Sequence, residues 1–148
     1  MNSDFRELLQ CFAKHRVHYL VVGGYAVIQY AEPRFTKDLD LWLEPAAANA
    51  RRVAVAFKEF GIPLIEVTES ELAQPGTQFM LGRSPVMLDF LTSIDPLDFS
   101  GCWARRKIVR HSFGRVNYLH KADLITAKRH AGRPQDIIDL HALGEIPS

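Results

Sequence analysis

Val17-His18-Tyr19-Leu20-Val21-Val22-Gly23-Gly24-Tyr25-Ala26, followed by Glu32-Pro33-Arg34-Phe35-Thr36-Lys37-Asp38-Leu39-Asp40-Leu41-Trp42, is the stretch on which the fold turns. Residues 17–22 are β-branched, aromatic or aliphatic and stop at a glycine pair, which reads as a strand, a tight turn and a short helix from Tyr25 to Tyr30. Pro33 ends that helix, and Phe35 to Leu43 reads as a second strand. Side chains alternate faces along a strand, so Asp38 and Asp40 stand on one side while Leu39 and Leu41 occupy the other. Two like charges forced together need a proton or a cation between them, and hard divalent ions such as Mg²⁺ take carboxylate oxygens as ligands.

Outward from this stretch, the chain alternates between helical and strand-like periods. Asn2 or Ser3 can cap a first helix to about Arg16, with Phe5, Leu8, Leu9 and Phe12 on its apolar face. Pro45 opens a helix from Ala46 to Phe60 that Gly61 closes. A strand over Ile62–Val67, a helical turn over Glu69–Ala73 and a loop over Gln74–Thr77 follow. Strands over Gln78–Leu81 and Val86–Leu91 come next, joined through Gly82-Arg83-Ser84-Pro85. Ile94–Trp103 reads as a loop, Lys107–His111 and Val116–Leu119 as a hairpin about Gly114, and His120–His130 as a helix. Gly132 breaks it, and Pro134 starts a last helix to Leu143. This order implies an α/β (α+β) domain with a mixed central sheet flanked by helices and a C-terminal helical segment at about 120–144.

The 148 residues suit a single domain, and 47% apolar with 24% charged residues is ordinary for a globular protein. No apolar run approaches the roughly 20 residues of a membrane span, so no membrane association and a cytoplasmic location are expected. Cys11 and Cys102 read as plain thiols, and the six histidines show no zinc-helix spacing and receive no catalytic role. The net charge of +1 conceals a division. Residues 38–98 carry ten acids against four bases, whereas residues 101–134 carry nine bases against Asp123 alone. An acidic half facing a basic half suits a metal-bound polyphosphate; a solvated surface with balanced charges is the alternative.

Gly23-Gly24 leaves free backbone N–H groups at a helix start, where an anion fits, although most glycine pairs only make turns. Asp89 stands between Leu88 and Phe90 in a run that reads as buried strand, so its carboxylate needs a cation or strong donors. If its strand lies beside the Asp38-Asp40 strand, three carboxylates converge; otherwise Asp89 is a structural ion pair with an arginine. A phosphate site beside a trio of acids describes a nucleoside triphosphate held with Mg²⁺. Arg34, Thr36 and Lys37 are placed to touch phosphate, the metal shell or the acceptor, or Arg34 pairs with Glu32 or with the acids. Tyr25 and Trp42 are candidates to stack on a nucleobase, while Phe5, Phe12 and Phe57 fit helix cores.

With these residues in hand, the segments Val22–Ala26 and Glu32–Trp42 resemble the nucleotidyltransferase superfamily with the polymerase β-type fold, and in particular its small bacterial AbiEii and MNT-like members. Lys121-Ala122-Asp123-Leu124 and Lys128-Arg129-His130-Ala131-Gly132-Arg133-Pro134-Gln135-Asp136-Ile137-Ile138-Asp139-Leu140 are similar to the C-terminal helical motif of AbiEii-like proteins. The resemblance implies that Asp38 and Asp40 ligate Mg²⁺, two ions in all, and that Asp89 completes the metal site or acts as base. It further implies that Gly23 and Gly24 contact the triphosphate and that Lys121 and Lys128, two helical turns apart, reach phosphates. Lys121, in the first turn, is the better placed of the two; for Lys128 a solvated basic face, with Arg133 pairing to Asp136 or Asp139, is an equal reading. The implied activity is transfer of a nucleoside monophosphate from a nucleoside triphosphate to a hydroxyl of a protein, a tRNA or a small molecule. The implied partners are a toxin or antitoxin protein or a second copy of the chain; a catalytically inactive regulator of the same fold is the alternative.

Overall fold

The computed structural model describes residues 1–65, 67–83 and 86–145. Helix α1 (Ser3–Lys14) starts where the Asn2 side chain accepts from the Asp4 amide, and it buries Phe5, Leu8, Leu9 and Phe12. Strand β1 (Tyr19–Val22) runs directly into α2 (Gly23–Val27), so the glycine pair forms the first turn of the helix rather than a loop ahead of it. Strand β2 (Asp38–Leu43) leads to α3 (Ala47–Phe60), which ends at Gly61 in the left-handed conformation. The short α4 (Glu69–Leu72) is capped reciprocally by Thr68 and Glu71. Strands β3 (Gln78–Arg83) and β4 (Val86–Leu91) precede α5 (Phe99–Arg105), β5 (Lys107–His111), β6 (Gly114–Tyr118), α6 (Lys121–Ala131) and α7 (Pro134–Ala142).

Six strands form one mixed sheet in the order β3-β4-β2-β1-β6-β5. β2 lies at its centre, antiparallel to β1 and parallel to β4. Leu39, Leu41, Leu88 and Phe90 turn toward the α1 and α3 layer, where Phe57 meets Phe90 at 5.2 Å and Phe12 at 6.1 Å between ring centroids. Leu20, Val22 and Trp42 turn toward the opposite face, under α2, α5 and α6. Alternation therefore puts Asp38 and Asp40 on the second face, in phase with Trp42. Buried Asn49 fixes the entry to β1 by accepting from the His18 amide and donating to the His18 and Glu44 carbonyls.

Four expectations change. β2 begins at Asp38 rather than Phe35: β1 ends at Val22, opposite Asp40, so the preceding residues lack a ladder partner on that side, and Phe35 is left 88% exposed. Residues 62–65 and 67 form no strand, and Glu66 lies outside the described residues, as do Ser84 and Pro85 of the expected β3–β4 turn. Phe99–Arg105 is helical where a loop was expected, because Asp98 accepts from the Gly101 amide and Phe99 and Cys102 gain a core under Trp42. Trp42 itself is 1% exposed and edge-on to Phe99, so it offers no face to a nucleobase.

Candidate active site

The Asp-x-Asp strand and the Asp89 strand are neighbours, and their register sets Asp40 directly beside Asp89. Residues paired across adjacent strands share a face, and here the two carboxylates come into hydrogen-bond contact. Burial, the Asp89 charge and the Asp38 charge together raise the Asp40 carboxyl to about 7. Burial also raises Asp89, while hydrogen bonds from Gln78, at 3.2 and 3.3 Å, and from Asp40 pull it back down. Asp38 lies one place from the pair on the same face, and its Oδ1 is buried with no hydrogen-bond partner. The three carboxylates do not all close to within 4.8 Å of one another.

The glycine pair abuts these acids. Val22 pairs with Asp40, so the chain turns into α2 at the carboxylate itself. A Cβ on Gly23 would stand 2.0 Å from Asp40 Oδ2, and Gly23 has φ +65°. Only a residue without a side chain fits there. Gly24 packs on Thr36 and the Arg34 guanidinium, where a Cβ would come within 2.7 Å of the Thr36 methyl. The Thr36 hydroxyl is likewise buried and unpartnered.

A cleft of about 530 Å³ opens over these residues. Val22, Gly23, Asp40 and Asp89 form its floor, and Lys128, Arg133 and Asp136 line the side supplied by the C-terminal helices. Its apolar wall is made by Leu91, Ile94, Leu119, Leu124, Ala127 and Ala131. Of the residues expected to bind triphosphate, Gly23 and Lys128 line the cleft. Lys37 and Thr36 instead line a depression with Met1, Phe5 and Tyr25, so Tyr25 packs on Phe5 and away from the cleft floor. Lys121 begins α6 outside the cleft lining, which reverses the order expected of the two lysines. Arg34 pairs with Asp139 at 2.8 Å rather than with Glu32 or the strand acids.

Lys128 is not a solvated cation. It is 8% exposed and reaches Asp139 at 2.8 Å and Asp136 at 3.4 Å. Arg133 donates to Asp136 at 2.7 Å; burial pushes the Asp136 carboxyl up, but Arg133 and Lys128 outweigh it and hold it below its ordinary value. Lys128 also lowers the Asp40 carboxyl, so its charge is felt at the cleft floor. Buried Asp136 and Asp139 are thus the residues that hold the basic side of the cleft in position. The sequence signal for them was the i, i+3 spacing of Arg133, Asp136 and Asp139 on a Pro-initiated helix. A further bridge, Arg105 to Asp123 at 3.0 Å, ties α5 to α6. His130 also lines the cleft.

The site fits a divalent cation on its own chemistry. It contains an orphaned buried carboxylate oxygen, a carboxyl that keeps its proton near neutrality, and two acids brought side by side by strand register.

No protein-family model matches the sequence, and no curated protein matches it significantly. Solved structures do. The chain is similar to the lincosamide antibiotic adenylyltransferase LnuA, solved with lincomycin bound, with a TM-score of 0.63 at 17% identity over 99% of this chain and 98% of that one. It is also similar to a protein of Thermotoga maritima assigned as a nucleotidyltransferase, with a TM-score of 0.64 at 14% identity over 93% of this chain and 88% of that one. The mixed sheet flanked by helices is therefore the nucleotidyltransferase fold.

Proposed function

We propose that this chain is a Mg²⁺-dependent nucleotidyltransferase that moves a nucleoside monophosphate from a nucleoside triphosphate to a hydroxyl, releasing pyrophosphate, with residues 1–148 acting as one minimal domain. The observation that carries the proposal is the Asp40–Asp89 pair, set together by register and raised in pKa at the foot of a cleft that begins at Gly23. Asp38, Asp40 and Asp89 would hold the metal, which supplies charge neutralisation of the phosphates when bound. Gly23 lets the chain pass against Asp40, which brings the start of α2 up to the carboxylates. Lys128, fixed by Asp136 and Asp139, places a buried positive charge above them for the phosphate chain. Asp89 either completes that metal site or accepts the proton of the attacking hydroxyl.

A small molecule is the acceptor we favour. The cleft volume is within the range of small-molecule sites, and one wall is aliphatic. LnuA, an antibiotic adenylyltransferase solved with lincomycin bound, is matched over 98% of its length. A protein or tRNA acceptor, a toxin–antitoxin partner, and an inactive regulator are outcomes of the same experiment. The chain is incubated with each α-³²P-labelled nucleoside triphosphate and Mg²⁺, with hydroxyl-bearing small molecules including lincosamides in one arm and with tRNA or cell protein in the other. Label on a small molecule, lost by at least about 100-fold in Asp40→Asn, supports the proposal. Label on tRNA or protein moves the acceptor; nucleotide binding without transfer identifies a regulator.

A further inference from the structure

On the face of the sheet away from the cleft, the last turn of α1 meets the last turn of α3. Cys11 and His15, four residues apart and hence on one side of α1, both turn toward Glu59 of α3. Cys11 Sγ lies 3.3 Å from Glu59 Oε2, and His15 Nε2 lies 2.5 Å from the same oxygen. The three ligand atoms all fall within 4.8 Å of one another. We propose that Cys11, His15 and Glu59 form a second metal site, which takes a borderline divalent cation of the Zn²⁺ class.

Several features support this assignment. Thiolate, imidazole and carboxylate together select Zn²⁺-like ions over Mg²⁺, which prefers oxygen alone. Ligand atoms around one tetrahedral zinc stand about 3.5 Å apart; Cys11 and Glu59 already match that at 3.3 Å, and His15 swings back from its 2.5 Å contact with Glu59 to admit the ion. Glu59 is held in place by its other oxygen, Oε1, which accepts from the Lys14 ammonium, so Oε2 is the oxygen left for the metal. The negative ends of two helices converge here, which favours a cation. The side chains of His15 and Glu59 are 22% and 41% exposed, so an ion and a water as fourth ligand have access. The sequence concealed the site because Glu59 is distant along the chain and Cys11-x₃-His15 contains only two ligands.

The proton balance is defined. The Cys11 S–H bond breaks as the S–metal bond forms, and that proton leaves to solvent. Nε2 shares a proton with Glu59 in the metal-free chain, and that proton leaves as the Nε2 lone pair binds the ion and Glu59 binds as the carboxylate. A neutral ring takes up a proton at Nδ1 in exchange, so only the Cys11 proton is released per ion, whereas an imidazolium, already protonated at Nδ1, releases a second; no electron moves. Bridging two helices, the ion clips α1 to α3.

Titration of the metal-free full chain with Co²⁺ alone tests this. One equivalent is expected to produce the near-ultraviolet thiolate-to-cobalt band with visible absorption of tetrahedral intensity, and Zn²⁺ should bleach both. The band is expected to vanish in Cys11→Ser and to persist in Cys102→Ala, the other thiol being buried elsewhere. His15→Ala and Glu59→Gln should weaken Co²⁺ binding at least tenfold, and their circular dichroism spectra should match wild type. Absence of a thiolate band at saturating Co²⁺, or its persistence in Cys11→Ser, overturns the assignment. As a second reading, Zn²⁺ should raise the melting temperature of wild type and not that of His15→Ala; equal shifts count against the site.

Discussion

Replacing Asp40 by Asn should stabilise the metal-free protein, and only above a definite pH. Asp40 has its carboxyl raised from 3.8 to about 7 by burial and by its two acidic neighbours. A carboxyl with a raised folded-state pKa keeps its proton in the folded state while the unfolded state releases it, so folding stability falls as pH rises through that window. The favourable contribution is complete below pH 3.8, is lost between about 4 and 7, and changes no further above 7. About three pH units at 1.36 kcal/mol each give roughly 4 kcal/mol as the upper size of the loss. Asn has the same shape, carries no charge, and can donate to Asp89. Urea unfolding of wild type and Asp40→Asn should therefore give similar midpoints at pH 4 and a higher midpoint for the variant at pH 8, by up to roughly 4 kcal/mol. Mg²⁺ should narrow that gap at pH 8 by stabilising wild type alone. A difference between the two proteins that is independent of pH, or a variant less stable at pH 8, would refute the argument that uncompensated carboxylate charge is stored at this site.

Other substitutions probe the supports of the cleft. Gly23→Ala introduces a Cβ into the Asp40 carboxylate at a positive φ, and should reduce stability by about 2 kcal/mol and abolish label transfer; chemical denaturation and transfer assays report both. Asp139→Ala leaves Lys128 and Arg34 without their 2.8 Å partner, and with Lys128 buried the midpoint in urea should fall by an amount equivalent to about 3 kcal/mol; a change below about 0.5 kcal/mol would count against the bridge as a structural element. Phe57→Ala removes a ring, 0% exposed, that touches Phe12, Phe79 and Phe90, and should cost about 3–5 kcal/mol by the same measurement while leaving the metal preference unchanged.

The centre of the molecule was legible because its signals are local. The apolar run ending at Gly23 gave β1, the i, i+2 spacing gave the shared face of Asp38 and Asp40, and the isolated acid in Val86–Leu91 marked Asp89. Adjacency of the two acid-bearing strands rests on the pairing of β2 with β4, for which no local signal exists. What the sequence concealed depends on contacts between distant segments. Phe99–Arg105 looked irregular because its helix rests on one cap and on Trp42, not on a long apolar period. Ile62–Val67 looked like a strand by composition, yet its described residues find no ladder partner. Lys128 resembled an exposed cation until α7 folded back with Asp136 and Asp139 beneath it.

The shared-cation claim is tested most directly by anomalous diffraction from crystals grown with Mn²⁺ and a non-hydrolysable triphosphate. The expected result is an anomalous peak bounded by Asp38, Asp40 and Asp89, with the triphosphate running from Gly23 toward Lys128. Manganese bound away from all three carboxylates, or a triphosphate seated outside the cleft, would contradict it.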